Sequence, residues 1–74
     1  MSKLTNHHLM VMRSLVSKGW ETSLTDILLA RCGLEKEGWE FLKTWGLVEE
    51  RNGKFHLSEL GKKVYNFEKK GRMF

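Results

Sequence analysis

Apolar side chains recur with a helical period in four stretches of this chain, and with a period of two in a fifth stretch between the third and fourth helices. In the first stretch, Leu9, Met12, Leu15 and Val16 lie three or four residues apart or adjacent on one face. Thr5 stands at an N-cap position and Gly19 where a left-handed residue would end a helix. The pattern predicts a helix over 5–18 with His7 and His8 in its first turn. Trp20-Glu21-Thr22 then reads as a connector long enough for a minimal strand. Ser23 is placed to cap a second helix, with Asp26 as its capping-box partner and Leu24, Ile27, Leu28 and Ala30 as its buried side. That helix is expected to end near Cys32-Gly33, where glycine can make a tight left-handed turn. A third helix follows from Glu35 or Lys36 to Trp45. Trp39, Leu42 and Trp45 point one of its faces at the core, and Phe41 widens that face. Gly38 in its interior costs about 1 kcal/mol relative to alanine, which predicts a close approach to the second helix.

After Gly46 the period changes. Leu47-Val48-Glu49-Glu50-Arg51 and Lys54-Phe55-His56-Leu57 alternate around Asn52-Gly53, a pair suited to the two positive φ angles of a type I′ turn. A two-residue loop fixes the register, setting Arg51 against Lys54, Glu50 against Phe55, Glu49 against His56 and Val48 against Leu57. Val48, Phe55 and Leu57 then share an inner face with Glu50 at its outer end. Ser58 caps a last helix in which Leu60, Val64 and Phe67 are spaced to pack, leaving Lys62, Lys63, Lys69 and Lys70 in solvent. The expected fold class is α+β, mainly α, in one domain over 1–74.

The order helix, helix, glycine turn, helix, hairpin, helix resembles the winged helix-turn-helix superfamily, in the generic pattern of MarR-like and ArsR-like bacterial regulators. The resemblance is carried by the segment from Leu24 to Leu34, the exit Leu42-x-x-x-Gly46-Leu47-Val48, the Asn52-Gly53 turn and Leu57-Ser58-Glu59-Leu60-Gly61. It covers roughly residues 23–64 and is more specific for fold than for function. It implies a three-helix core, a β-hairpin wing and a C-terminal helix. It further implies a transcriptional regulator in which the third helix and the wing contact duplex DNA.

Seventy-four residues lie near the lower limit at which one hydrophobic core holds a chain folded. At 41% hydrophobic and 30% charged the chain is too apolar for wholesale disorder. No apolar run approaches the ~18 residues that span a bilayer, and MSKLTNHH lacks a signal-peptide core. These features predict a cytoplasmic protein, nucleoid-associated if it binds DNA, with no membrane partner. The net charge of +4 favours anionic partners. Residues 1–31 are +2 and residues 54–74 are +4, whereas residues 32–53, which hold the third helix, are −2.

Candidate DNA-binding residues are therefore of three kinds. Arg51, Asn52, Gly53 and Lys54 form the wing tip, whose cations can bracket a phosphate. Ser23 and Thr25 lie at the second helix's start, where amides and hydroxyls suit a phosphate. Lys36, Glu37, Glu40 and Lys43 face outward on the third helix, the lysines toward phosphates and a glutamate toward a base. Outward carboxylates repel phosphates, which supports an alternative: a protein-interaction module using the acidic third helix and exposed aromatics. Trp45, Phe67, Met73 and Phe74 are the candidates for that interface, with another protein or a second copy in a homodimer. His7, His8, Cys32 and His56 lack metal-ligand spacing. No nucleophile–base pattern or phosphate-cradling glycine loop is present, so neither enzymatic activity, nor a metal, cofactor or small-molecule ligand, is expected.

Overall fold

Two polar side chains start the two longest helices. A computed structural model describes residues 4–71, and in it Thr5 caps α1, Asn6–Ser17, while Ser58 caps α4, Glu59–Lys70. Thr5 Oγ1 accepts from the His8 amide, and His8 Nδ1 accepts from the Thr5 amide at 3.0 Å. The imidazole thus takes the role that glutamate has in the usual capping box. Between these helices lie β1 (Trp20–Glu21), a 3₁₀ turn (Thr22–Leu24), α2 (Thr25–Cys32), α3 (Lys36–Thr44), β2 (Val48–Arg51) and β3 (Lys54–Leu57).

The strands form one antiparallel sheet in the order β1-β3-β2. The hairpin register is the one expected from the Asn-Gly loop, from Val48 opposite Leu57 to Arg51 opposite Lys54. Asn52 and Gly53 take φ of 54° and 76°, as a type I′ turn requires. The connector Trp20-Glu21 is indeed a strand, pairing Trp20 with Phe55 and Glu21 with Lys54. Leu9, Val11, Met12 and Leu15 of α1, Leu42 of α3 and Leu57 of β3 make the most deeply buried layer. Trp39 joins α3 to the sheet, 5.0 Å edge-on to Phe55 and 5.7 Å from Trp20 between ring centres. Among the described residues no helix is long and apolar enough to cross a membrane.

Several helix faces differ from the expectation. Val16 is exposed and Val11 is buried in its place. Ser23 does not cap α2. It lies inside the 3₁₀ turn, and the N-cap position falls on Leu24, which makes no side-chain cap. The buried side of α2 is Thr25, Leu28, Leu29 and Cys32, while Leu24, Ile27 and Ala30 are exposed. With four consecutive apolar residues, Ile27 to Ala30, periodicity does not choose the face of an eight-residue helix.

Gly38 approaches α1 rather than α2: a Cβ there would overlap Leu34 Cδ1 and lie 3.0 Å from His8 Nε2. Trp45 does not extend the core face of α3. The helix ends at Thr44, so Trp45 leaves the helical path and is 63% exposed. In α4, Leu60 and Phe67 do not pack into the core. Gly61 and Tyr65 do, with Val64 half-buried at their edge. The cause is Gly61, which lies so close to the Leu47 carbonyl that any Cβ would overlap its oxygen. Docking on the bare glycine turns the helix by one residue from the face its large apolar side chains suggest.

Candidate nucleic-acid interface

The turn from β1 into α2 and the hairpin tip are joined by one backbone hydrogen bond, from the Thr22 amide to the Gly53 carbonyl at 3.0 Å. At the hairpin's base, the Ser58 amide donates to the Leu47 carbonyl and Ser58 Oγ donates to the Gly46 carbonyl. The hairpin is thus fixed at both ends relative to the helices.

Between the hairpin and the helices lies an open groove of about 610 Å³. Its floor is Trp39, Leu29, Leu34 and Phe55, and its rim carries Lys36, Glu40 and Lys43 of α3, Asp26 of α2 and Glu50 of β2. Of the sequence candidates, the groove gathers Thr25, Lys36, Glu40 and Lys43. Asp26, Glu50, Trp39 and Phe55 were not among them. The pairing of Glu50 with Phe55, readable from the turn, is the signal that sets those two side by side in the groove's lining.

The charges on this rim oppose each other. Lys43 Nζ sits 3.2 Å from Glu40 Oε2, one helical turn away, and 5.9 Å from the centre of the Trp39 ring. Lys36 is exposed and has no ion pair among the described residues. Two lysines against Asp26, Glu40 and Glu50 leave the rim at −1. Thr25 is buried, so its hydroxyl does not face solvent, and its Oγ1 has no hydrogen-bond partner among the described residues. Ser23 and Glu37 are exposed but lie outside the groove.

The tip is a separate surface. Arg51, Asn52, Gly53 and Lys54 are all exposed, and Arg51, Asn52, Lys54 and His56 surround a second, smaller depression. Arg51 pairs with Glu49 at 3.3 Å on the same strand face, whereas Lys54 has no ion pair among the described residues. The tip is therefore the more electropositive of the two surfaces.

The interface candidates of the other kind are Trp45, 63% exposed and 5.9 Å from Phe41, and Phe67, 74% exposed. Met73 and Phe74 lie outside the described residues. Among the described residues no three His, Cys, Asp or Glu side chains are grouped to hold a metal. Cys32 is half-buried, and burial pushes its thiol pKa up, opposed by the charge of Arg31. The chain matches no protein-family model, no curated protein and no solved structure.

Proposed function

We propose that this chain is a small winged-helix domain that binds duplex DNA, chiefly through the phosphate backbone, as a transcriptional regulator. The observation that carries this reading is the placement of the Arg51–Lys54 tip on a hairpin braced against the turn that leads into α2, with α3 across one groove from the hairpin. The order α1-β1-α2-α3-β2-β3, with β1 paired to β3, supports the winged-helix assignment. In this reading the hairpin is the wing. Arg51 and Lys54 grip one stretch of backbone, while Lys36 and Lys43 meet another at the major groove. Glu37 and Glu40 are the base-facing candidates, since a carboxylate accepts from cytosine N4.

The charge count sets how tightly it binds. Four cations at most reach phosphates, and two of them already hold carboxylates. The dependence of log K on log salt should therefore have a slope between about −2 and −4. Anisotropy of a labelled duplex, titrated at about 50 and about 200 mM salt, measures this slope. Arg51→Ala with Lys54→Ala should weaken binding of every duplex alike, because phosphate contacts carry no sequence information. No binding of any duplex at the lower salt would reject the reading.

A second reading, a protein-interaction module, is favoured by one specific observation: carboxylates outnumber lysines on the groove rim while Trp45 and Phe67 stand in solvent. It gains if the duplex does not bind and Trp45→Ala abolishes retention of a protein partner.

A further inference from the structure

α4 has a second apolar line besides the one that faces the core. Gly61 and Tyr65 point inward, whereas Leu60, Val64 and Phe67 recur at i, i+4 and i+7 on a stripe about 100° further round the helix. Leu60 is 52% and Phe67 74% exposed, with Val64 half-buried between them. Read as a coiled-coil seam, Leu60 and Phe67 occupy d positions and Val64 the intervening a position. Lys63 and Lys70 then fall at g, and Gly61 and Glu68 at e. Lys62 and Lys69 fall at f, on the far side.

We propose that this stripe is an interface between two copies of the chain, with the α4 helices side by side and parallel. The flanking charges choose the occupant. In a parallel pair each g residue faces the e residue five positions on in the other helix. Lys63 of each copy thus meets Glu68 of the other, twice by symmetry. Glu68 is half-buried and already engaged within its own chain, and Lys63 of the second copy adds to that engagement. An antiparallel pair would set Lys63 against the other copy's Lys70. An anionic lipid surface would meet Glu68 on one flank, and Lys62 and Lys69 would point away from it. Only a parallel second copy brings both signs into register.

The seam is short. A helix of 12 residues runs about 18 Å, and an interface of that length gives a reversible equilibrium rather than an obligate dimer. This inference is independent of DNA binding, and its test contains no nucleic acid. Sedimentation velocity over a series from micromolar to near-millimolar protein should show the mass rising from 8.7 kDa toward twice that value. Phe67→Lys, at a side chain in solvent, should keep the helical circular dichroism and weaken association at least about tenfold. Lys63→Glu and Glu68→Lys should each weaken it, and the two together should restore it. The Phe67 and Lys63 variants keep the test decisive if Glu68→Lys unfolds. A monomer at every concentration would overturn the proposal. So would a stronger dimer from Lys63→Glu, which requires antiparallel helices. Phe67-dependent sedimentation of a monomer with anionic phospholipid vesicles would also overturn it, by assigning the stripe to lipid.

Discussion

Replacing Gly61 with alanine should destabilise the protein, although alanine is the better helix former. The new methyl would overlap the Leu47 carbonyl oxygen and lie 3.0 Å from its carbon and 3.1 Å from Leu57 Cδ2. Neither neighbour can give way cheaply. The Leu47 carbonyl already accepts from the Ser58 amide, and Leu57 is 1% exposed. Overpacking costs about 1–3 kcal/mol. A methyl forced against backbone that cannot give way takes the upper part of that range, about 2–3 kcal/mol, and the helix propensity of alanine offsets about 1 kcal/mol. The net loss is about 1–2 kcal/mol, a large share of the few kcal/mol that so small a core supplies. For a chain of this length that loss lowers Tm by about 4–16 °C. In urea the midpoint should fall with an unchanged m-value, since the core merely opens without losing its extent. Gly71→Ala is the control, because among the described residues its Cβ would meet only the Glu68 carbonyl oxygen, at 3.7 Å, and its φ is −85°. If Gly61→Ala were as stable as the parent, α4 would not dock on the Leu47 carbonyl. The inward positions would then be Leu60 and Phe67.

His8 should make stability fall with acidification. Burial lowers its pKa, and His7 adds to that effect while the Gly38 backbone opposes it. The unfolded histidine therefore takes up a proton near pH 6.5, where the folded one does not. The contribution is fully present above that pH and is lost as pH falls below it. Protonation also turns Nδ1 from acceptor to donor, which removes the partner of the Thr5 amide. Urea midpoints at about pH 7.5 and about pH 5.5 should differ in the parent and converge in His8→Gln; parallel behaviour of the two proteins would contradict the account. Ser58→Ala should cost about 1–2 kcal/mol, because Oγ both caps α4 and ties Gly46. Ser58→Asp keeps the acceptor but cannot donate to the Gly46 carbonyl, so its chemical denaturation should fall between the two.

What the sequence made legible follows the range of the interactions involved. The hairpin, its register and the Thr5 and Ser58 caps depend on neighbours a few residues away, and all stand where local chemistry puts them. The faces of α2 and α4 depend on which remote surface accepts them. For α4 that surface is a carbonyl on the strand approach, and the deciding residue is a glycine, which contributes no hydrophobic signal at all. The same limit applies to the candidate site. The Glu40–Lys43 pair can be read from helical spacing, and the exposed tip from its turn. That Thr25 is enclosed, and that Asp26 and Glu50 complete an acidic rim, depends on how α2 meets the sheet.

Among the described residues the sheet order leaves β2 with one edge unpaired. An open edge is where two folded chains can zip together indefinitely, yet here three of its four residues are Glu49, Glu50 and Arg51. A second strand laid alongside would have to place its own side chains among these charges, which discourages pairing. At the sheet's other margin β1 is only two residues long, too brief to template growth. The apolar surface that α4 leaves in solvent is therefore not accompanied by a long, uncharged backbone ladder on which a second strand could pair.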